Sequence, residues 1–236
     1  MTRTALILAG GFGNRLRSIV SDVPKPMASV AGRPFLSHIL DLLCRQCFTH
    51  VVISVGYKSH VIASHFGSSY RTLQLSYCAE DSPLGTGGAL RLALPLCQSD
   101  PVFVLNGDTF VDLESDALTA LWLRFKQPVL VGRCVEDVSR YGAISTRDNM
   151  VIGFKEKTES GPGLINVGCY VLPRNFFDGH VLPSVFSFEN DYLCHSLPNR
   201  PFHLYTLEGR FIDIGIPADY LRAQQLLASP CDRCIP

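Results

Sequence analysis

The chain has 236 residues, of which 47% are hydrophobic and 18% charged; this suits a globular protein with a sizeable core and excludes a disordered chain. Lys plus Arg and Asp plus Glu both number 21, so the net charge is zero and the basic excess of a nucleic-acid or membrane-surface binder is absent. No apolar run approaches the roughly 18–20 residues of a membrane span, and the opening "ALILAG" is too short for a signal peptide, so a cytoplasmic location is expected.

The first predicted element is "TALILA", a short apolar run that ends in glycines and suits a buried strand. After a loop, Pro34 opens a helical pattern with Phe35, Leu36, Ile39, Leu40 and Leu43 on one apolar face. "HVVISVGY" reads as a second strand, "SHVIASHFG" as a short helix stopped by Gly67, and "LQLSYCAE" as a third strand. "PLGTGGALRLALPL" is a glycine loop running into a helix. "PVFVLNGD" is a fourth strand, apolar enough to be buried on both faces. This alternation predicts a doubly wound, Rossmann-like α/β fold with a mostly parallel sheet.

The second half is richer in strands: "PVLVGRCVE", "GAIST", "MVIGFKE", "LINVGCYVL" and "FHLYTLE", with "TRDNM" as a hairpin turn and "PADYLRAQQLLA" as a closing helix. No repeat or Gly/Ser-rich linker divides the chain. A single domain over 1–236 is expected, with two interlocked lobes, 1–110 and 111–236. Nine cysteines, several of them in apolar runs (Cys78, Cys134, Cys169), read as reduced, buried thiols. Two CxxC pairs, Cys44/Cys47 and Cys231/Cys234, leave a zinc site open in principle.

The chemistry concentrates in "LAGGFGNRLRSIVSDVPKPM", residues 8–27. A glycine loop after the first strand of an α/β sheet is a phosphate site, because bare backbone N–H groups can point at an anion. A dinucleotide fingerprint fails here, since Gly11-Phe12-Gly13 is followed by Asn14, Arg15 and Leu16 rather than by a third glycine in register; no P-loop string exists. Instead Gly10-Gly11-x-Gly13-x-Arg15-Leu16 precedes Lys25, which stands between Pro24 and Pro26. Cations held stiffly beside phosphates suit phosphoryl or nucleotidyl transfer. A glycine turn with a solvated Arg and Lys is the alternative. Further on, Asp108 ends a buried strand and Asp213 lies in "FIDIG"; two such carboxylates could share one Mg²⁺, or each could cap a turn.

Together, "LAGGFGNRLR…PKPM", "EDSPLGTGGAL", "VLNGD", "YGAI", "FKEK", "NVGCY" and "FIDIGIP" resemble, in order, the motifs of the sugar-1-phosphate nucleotidyltransferases, from residue 5 to about 227. "SDVPKPMASVAGRPFL" and "VLNGDTFVD" look most like the members that transfer GMP to manno-heptose 1-phosphates. The resemblance implies an Mg²⁺-dependent reaction, NTP plus sugar 1-phosphate giving NDP-sugar and pyrophosphate, in the service of bacterial surface polysaccharide. It implies a nucleotide lobe followed by a sugar-phosphate lobe. Arg15, Lys25 and Asp108 would act in catalysis, and Asp108 with Asp213 would hold the metal. Leu8, Ala9, Gly10, Gly11, Gly13, Asn14, Arg15, Pro83, Gly85, Thr86, Gly87 and Gly107 would surround the nucleotide. Tyr141, Gly142, Glu156, Lys157, Asn166 and Gly168 would bind the sugar phosphate, with Lys157 gripping its phosphate.

Glu80 could choose the base. Guanine offers N1–H and N2–H₂ side by side to a carboxylate, whereas thymine and uracil oppose it with carbonyls. A helix-capping role for Glu80 stays open. So do a sugar contact or a helix-terminal charge for Glu189 and Asp191. Mannose 1-phosphate with GTP, glucose 1-phosphate with dTTP, and a non-catalytic sugar-nucleotide sensor remain alternatives. A homodimer is left open. No nucleic-acid or membrane partner is expected.

Overall fold

The computed structural model describes residues 2–11, 16, 19–20, 22–154 and 160–228. In chain order the strands and helices are β1 (Thr4–Leu8), β2 (Ser29–Val30), β3 (Arg33–Pro34), α1 (Phe35–Arg45), β4 (His50–Val55), α2 (Ser59–Phe66), β5 (Ser69–Tyr70), β6 (Leu73–Ala79), α3 (Gly85–Ala93) and β7 (Val102–Asn106). They continue with β8 (Thr109–Val111), α4 (Ser115–Phe125), β9 (Val129–Val135), β10 (Ile144–Arg147), β11 (Met150–Phe154), β12 (Gly163–Leu172), α5 (Cys194–Ser196), β13 (Phe202–Thr206), β14 (Phe211–Asp213) and α6 (Pro217–Leu226).

Ten strands form one sheet in the order β10-β11-β13-β9-β12-β7-β1-β4-β6-β5. Strands β7, β1, β4 and β6 run parallel, as the alternation of the first half predicts. Across β12 the sheet becomes mixed: β12 is antiparallel to both β7 and β9, and β13 returns parallel to β9. Both faces of the central strands are buried. On β1, Ala5 and Ile7 enter one core and Leu6 the other; on β7, Phe103 and Leu105 face the first, Val102 and Val104 the second. Continuous apolar runs are therefore required there, rather than alternation.

The register sets the position of the site. Leu8 of β1 lies level with Ser54 of β4 and with Asn106 of β7, so three strand ends open on one edge. That edge is where open α/β sheets bind ligands. The hairpin turn at Asp148 and Asn149 has both residues at positive φ, 50° and 61°, as a tight two-residue turn needs.

Three features differ from the sequence reading. Helix α4 has no counterpart among the elements expected from the sequence. Cys134 is exposed, because β9 leaves the core after Gly132. The glycines of "PLGTGG" lie mostly inside α3, which begins at Gly85 itself. Cys44 is half-buried and Cys47 exposed beyond the end of α1; Cys231 and Cys234 lie outside the described residues, which hold no cluster of three or more metal-binding side chains. Among the described residues no helix is long and apolar enough to cross a membrane.

A small antiparallel ribbon, β8 with β14, leaves the main sheet and pairs Asp213 with Thr109. Beyond its strand ends Asp112 and Arg210 clamp it. The Arg210 Nε and Nη2 donate to the two Asp112 carboxylate oxygens at 3.0 Å each, and Arg210 N donates to Oδ2 at 2.9 Å. Both side chains are largely shielded from water, so the paired geometry counts for more than a surface ion pair. Asp112→Ala is expected to cost about 1–3 kcal/mol in urea unfolding, and to lower turnover as well, because the ribbon carries Asp213.

Candidate active site

Lys25 begins a single 3₁₀ turn, Lys25–Met27, whose Pro26 and Met27 are buried. Pro24, at φ −62°, leads into it in extended backbone. The lysine stem is thereby aimed inward, and its side chain is only 10% exposed. Its ammonium pairs with Asp108 Oδ2 and lies 3.7 Å from Asp213 Oδ1. Asp108 arrives just past the end of β7. Asp213 arrives through the β8–β14 register, and Ile214 N fastens the approach by donating to Asp108 O at 3.0 Å. Gly215 N donates to Asp213 Oδ1 at 2.6 Å and fixes that carboxylate in a tight turn. A Cβ on Gly215 would sit 2.9 Å from Asp213 Oδ1 and 3.2 Å from Lys25 Nζ, so the three charged groups converge over a bare backbone.

A cavity of about 510 Å³ opens beside this cluster, lined by Leu8, Ala9, Gly10, Gly11, Lys25, Pro26, Ser54, Glu80, Pro83, Gly85, Thr86, Ala89, Asn106, Asp108 and Gly215. That is the size of a site for a drug-sized ligand. Its floor is the end of β1. Glu80, just past β6, extends over Gly10, where any Cβ would collide with Oε1. Leu84 N donates to Glu80 Oε2 at 3.0 Å at the start of α3, so the carboxylate caps that helix while it also faces the cavity. Gly107 is not in the lining; it lets β7 approach β1, donating its N–H to Leu8 O at 2.8 Å. Gly87 lies against the Phe186 ring, which explains its lack of a side chain by packing.

Behind Asn106 of the cavity lining, β12 carries a bulge between Asn166 and Cys169. Gly168 occupies it at φ +70°, a conformation that favours glycine. Asn166 is engaged inside the protein at both ends of its amide: Oδ1 accepts from Gly168 N at 2.9 Å, and Nδ2 donates to Tyr170 Oη at 2.7 Å. Tyr170 in turn donates to Glu189 Oε1 at 3.1 Å, and Thr86 Oγ1 donates to Glu189 Oε2 at 2.7 Å. Complete burial, with Glu189 nearby, pushes the Tyr170 phenol well above its ordinary pKa, so it stays a donor at working pH. This chain of bonds ties α3 to β12. Glu189 thus serves as a bridge, and Asp191 accepts from Ser187 N at 2.7 Å, closing the N-terminus of a π-helical turn, Phe188–Leu193.

Tyr141 lies outside the cavity lining, its ring edge-on to Phe211 of β14 at 5.8 Å. Gly142 follows at φ +81°. Gly13, Asn14, Arg15, Glu156 and Lys157 lie outside the described residues. Pro26, Ser54, Ala89, Asn106 and Gly215 also line the cavity, beyond the residues expected there from the sequence. The "NGD" string held a signal for Asn106, since an amide at the end of a buried strand needs partners.

An open α/β sheet with a glycine floor, a stiff lysine and two convergent carboxylates at its strand ends defines a protein that handles phosphorylated ligands. The chain belongs to the nucleotidyl transferase family, whose model matches residues 4–229. It is 39% identical over 224 residues to the D-glycero-alpha-D-manno-heptose 1-phosphate guanylyltransferase of Aneurinibacillus thermoaerophilus, covering 94% of this chain and 97% of that one. It is 33% identical over 224 residues to the mannose-1-phosphate guanylyltransferase of Mycobacterium tuberculosis, covering 92% of this chain and 62% of that one. The crystal structure of HddC from Yersinia pseudotuberculosis superposes with a TM-score of 0.85 at 33% identity, covering 96% of this chain and all 100% of that one. The HddC complex with GMP-PN gives a TM-score of 0.83 with the same coverage.

Gly85 gives a direct check on the cavity wall. It has φ +71°, and a Cβ there would lie 2.5 Å from the Phe186 carbonyl oxygen. Gly85→Ala is expected to destabilise the fold by about 1–3 kcal/mol and, with the cavity read as the nucleotide site, to weaken nucleotide binding. Thermal melting and nucleotide titration measure the two effects.

Proposed function

We propose that this protein transfers GMP from GTP to a manno-heptose 1-phosphate, giving GDP-heptose and pyrophosphate for bacterial surface polysaccharide. The observation that carries the reading is the convergence of Lys25, Asp108 and Asp213 at the end of a cavity faced on the other side by Glu80. The similarity to the heptose 1-phosphate guanylyltransferase supports it. A phosphate oxygen of the sugar 1-phosphate attacks the α-phosphorus of GTP; the new P–O bond forms as the bond to the β-phosphate oxygen breaks, and pyrophosphate leaves. The attacking oxygen is already ionised, so no general base is needed. The Lys25 ammonium, and Arg15 by resemblance, offset the negative charge that gathers on the phosphoryl oxygens.

Asp108 and Asp213 fit a hard divalent ion. Two carboxylates already turn toward one cation, the lysine ammonium, and substrate phosphate and water would complete an Mg²⁺ shell. When bound, Mg²⁺ neutralises phosphate charge. Residues 1–110 would supply most of the nucleotide side. Residues 111–236 would supply the sugar-phosphate side, with Lys157 and Glu156 assigned there by resemblance, together with Tyr141, Gly142, Asn166 and Gly168. Gly13 and Asn14 would continue the phosphate loop. A cytoplasmic site of action follows from the substrates.

Asp108→Asn removes a ligand and a charge together. It is expected to leave the fold intact and to cut turnover by orders of magnitude, and chelation of divalent ions should abolish pyrophosphate release. Near-normal turnover in the variant would remove the metal site.

Base choice is tested separately. Glu80 facing two guanine donors should favour GTP over dTTP and UTP by about 2–4 kcal/mol, or roughly 30- to 1000-fold in kcat/KM. Glu80→Gln should erode that preference, with a secondary loss of stability because the Leu84 cap weakens. Faster pyrophosphate release from dTTP with glucose 1-phosphate than from GTP with manno-heptose 1-phosphate would contradict both the base and the sugar assignment, and leave family membership untouched.

A further inference from the structure

Asn106 closes β7 on the cavity wall, and its Oδ1 is buried with no hydrogen-bond partner among the described residues. Buried polar atoms are almost always paired, so an orphaned acceptor on a residue that lines a cavity points to a partner that a ligand would supply as it seats against that wall. The surrounding backbone is shaped to admit this amide. Gly168, at φ +70° in the β12 bulge, lies so close that a Cβ would strike the Asn106 side chain. The Asn166 amide holds that bulge in place and is itself engaged at both ends, which leaves the Asn106 Oδ1 as the unpaired amide oxygen here among the described residues.

We infer that Asn106 reads the hydroxyl on C2 of the sugar phosphate, and so the manno configuration. The inference rests on the proposed transfer to a sugar 1-phosphate. Lys25 and Asp108 mark the reacting phosphates, and Asp108 is two residues beyond Asn106 at the same strand end. The first sugar hydroxyl next to a phosphate on C1 is the one on C2. Gly10 at the end of β1, Glu80 after β6 and Gly85 of α3 line one part of the cavity, whereas the Asn106 amide turns against Gly168 of β12, a strand outside the lining. A hydroxyl both donates and accepts, as an amide does, so the pair is chemically matched. Gluco and manno sugars differ at C2, so this contact would act on specificity while the phosphate groups drive the chemistry.

The test crosses one residue with one hydroxyl. In the wild type, replacing manno-heptose 1-phosphate by its 2-deoxy analogue should lower kcat/KM about tenfold or more. In Asn106→Ala the two substrates should differ by less than about twofold, since the hydroxyl has lost its reader. The melting temperature of the ligand-free variant should equal or exceed that of the wild type, because the deleted oxygen had no partner. A C2-hydroxyl effect that persists in Asn106→Ala overturns the inference. So does a coupling that appears with 2′-deoxyGTP in place of the sugar analogue, and so does a melting temperature lowered by several degrees. Absence of pyrophosphate release by the wild type from any manno sugar phosphate would sink the guanylyl-transfer reading itself, and this inference with it.

Discussion

One ammonium between two carboxylates organises the site. Lys25 neutralises Asp108 and approaches Asp213, and every nearby element serves to bring those three groups together. The flanking prolines set the backbone from which the lysine reaches. The buried strand β7 delivers Asp108, and the clamped ribbon delivers Asp213 from more than a hundred residues away in sequence. Gly215 removes the one side chain that would crowd the meeting point. Two carboxylates this close repel each other without a cation. In the proposed reaction the same pair would hold a divalent ion, adding positive charge where the phosphates bring negative charge.

The sheet has a parallel part and a mixed part, and the cavity opens at the strand ends of the parallel one. Its parallel part ends in the glycine floor and in Glu80, which suit a nucleotide. Its mixed part begins at β12, where the bulge places Gly168 against Asn106 of the cavity lining. The hydrogen-bonded line Thr86, Glu189, Tyr170 and Asn166 joins the two, so α3 and β12 keep a fixed spacing. That line contains a carboxylate whose partners are hydroxyls, with Tyr170 held protonated by burial. It is a rigid strut between the two sides.

The strands and the glycine loop could be read from sequence because their signals are local. A continuous apolar run means burial on both faces, and glycines at the end of such a run mean close backbone approach. Helix α4 escaped because its period is blurred: Leu118 and Trp122 are buried, while Leu123 and Phe125 remain 51% and 41% exposed. Cys134 lies in an apolar run yet is exposed, because the strand has already left the core. Other features depend on partners far away in the chain. Gly87 is glycine on account of Phe186, and Asp213 meets Asp108 only through a three-residue ribbon that no propensity announces. Glu80 could be assigned a base or a cap from sequence, and the fold gives it a capping contact and a cavity face together.

The central claim is that the Lys25, Asp108 and Asp213 cluster is where metal and phosphates meet. The most direct measurement is a crystal structure with Mn²⁺ and a non-hydrolysable GTP analogue, with the ion located by its anomalous signal. The account predicts a peak within bonding distance of both Asp108 and Asp213, with the Lys25 ammonium displaced from between them onto a phosphate oxygen. An ion bound elsewhere, with Lys25 still seated between the two carboxylates, would contradict it.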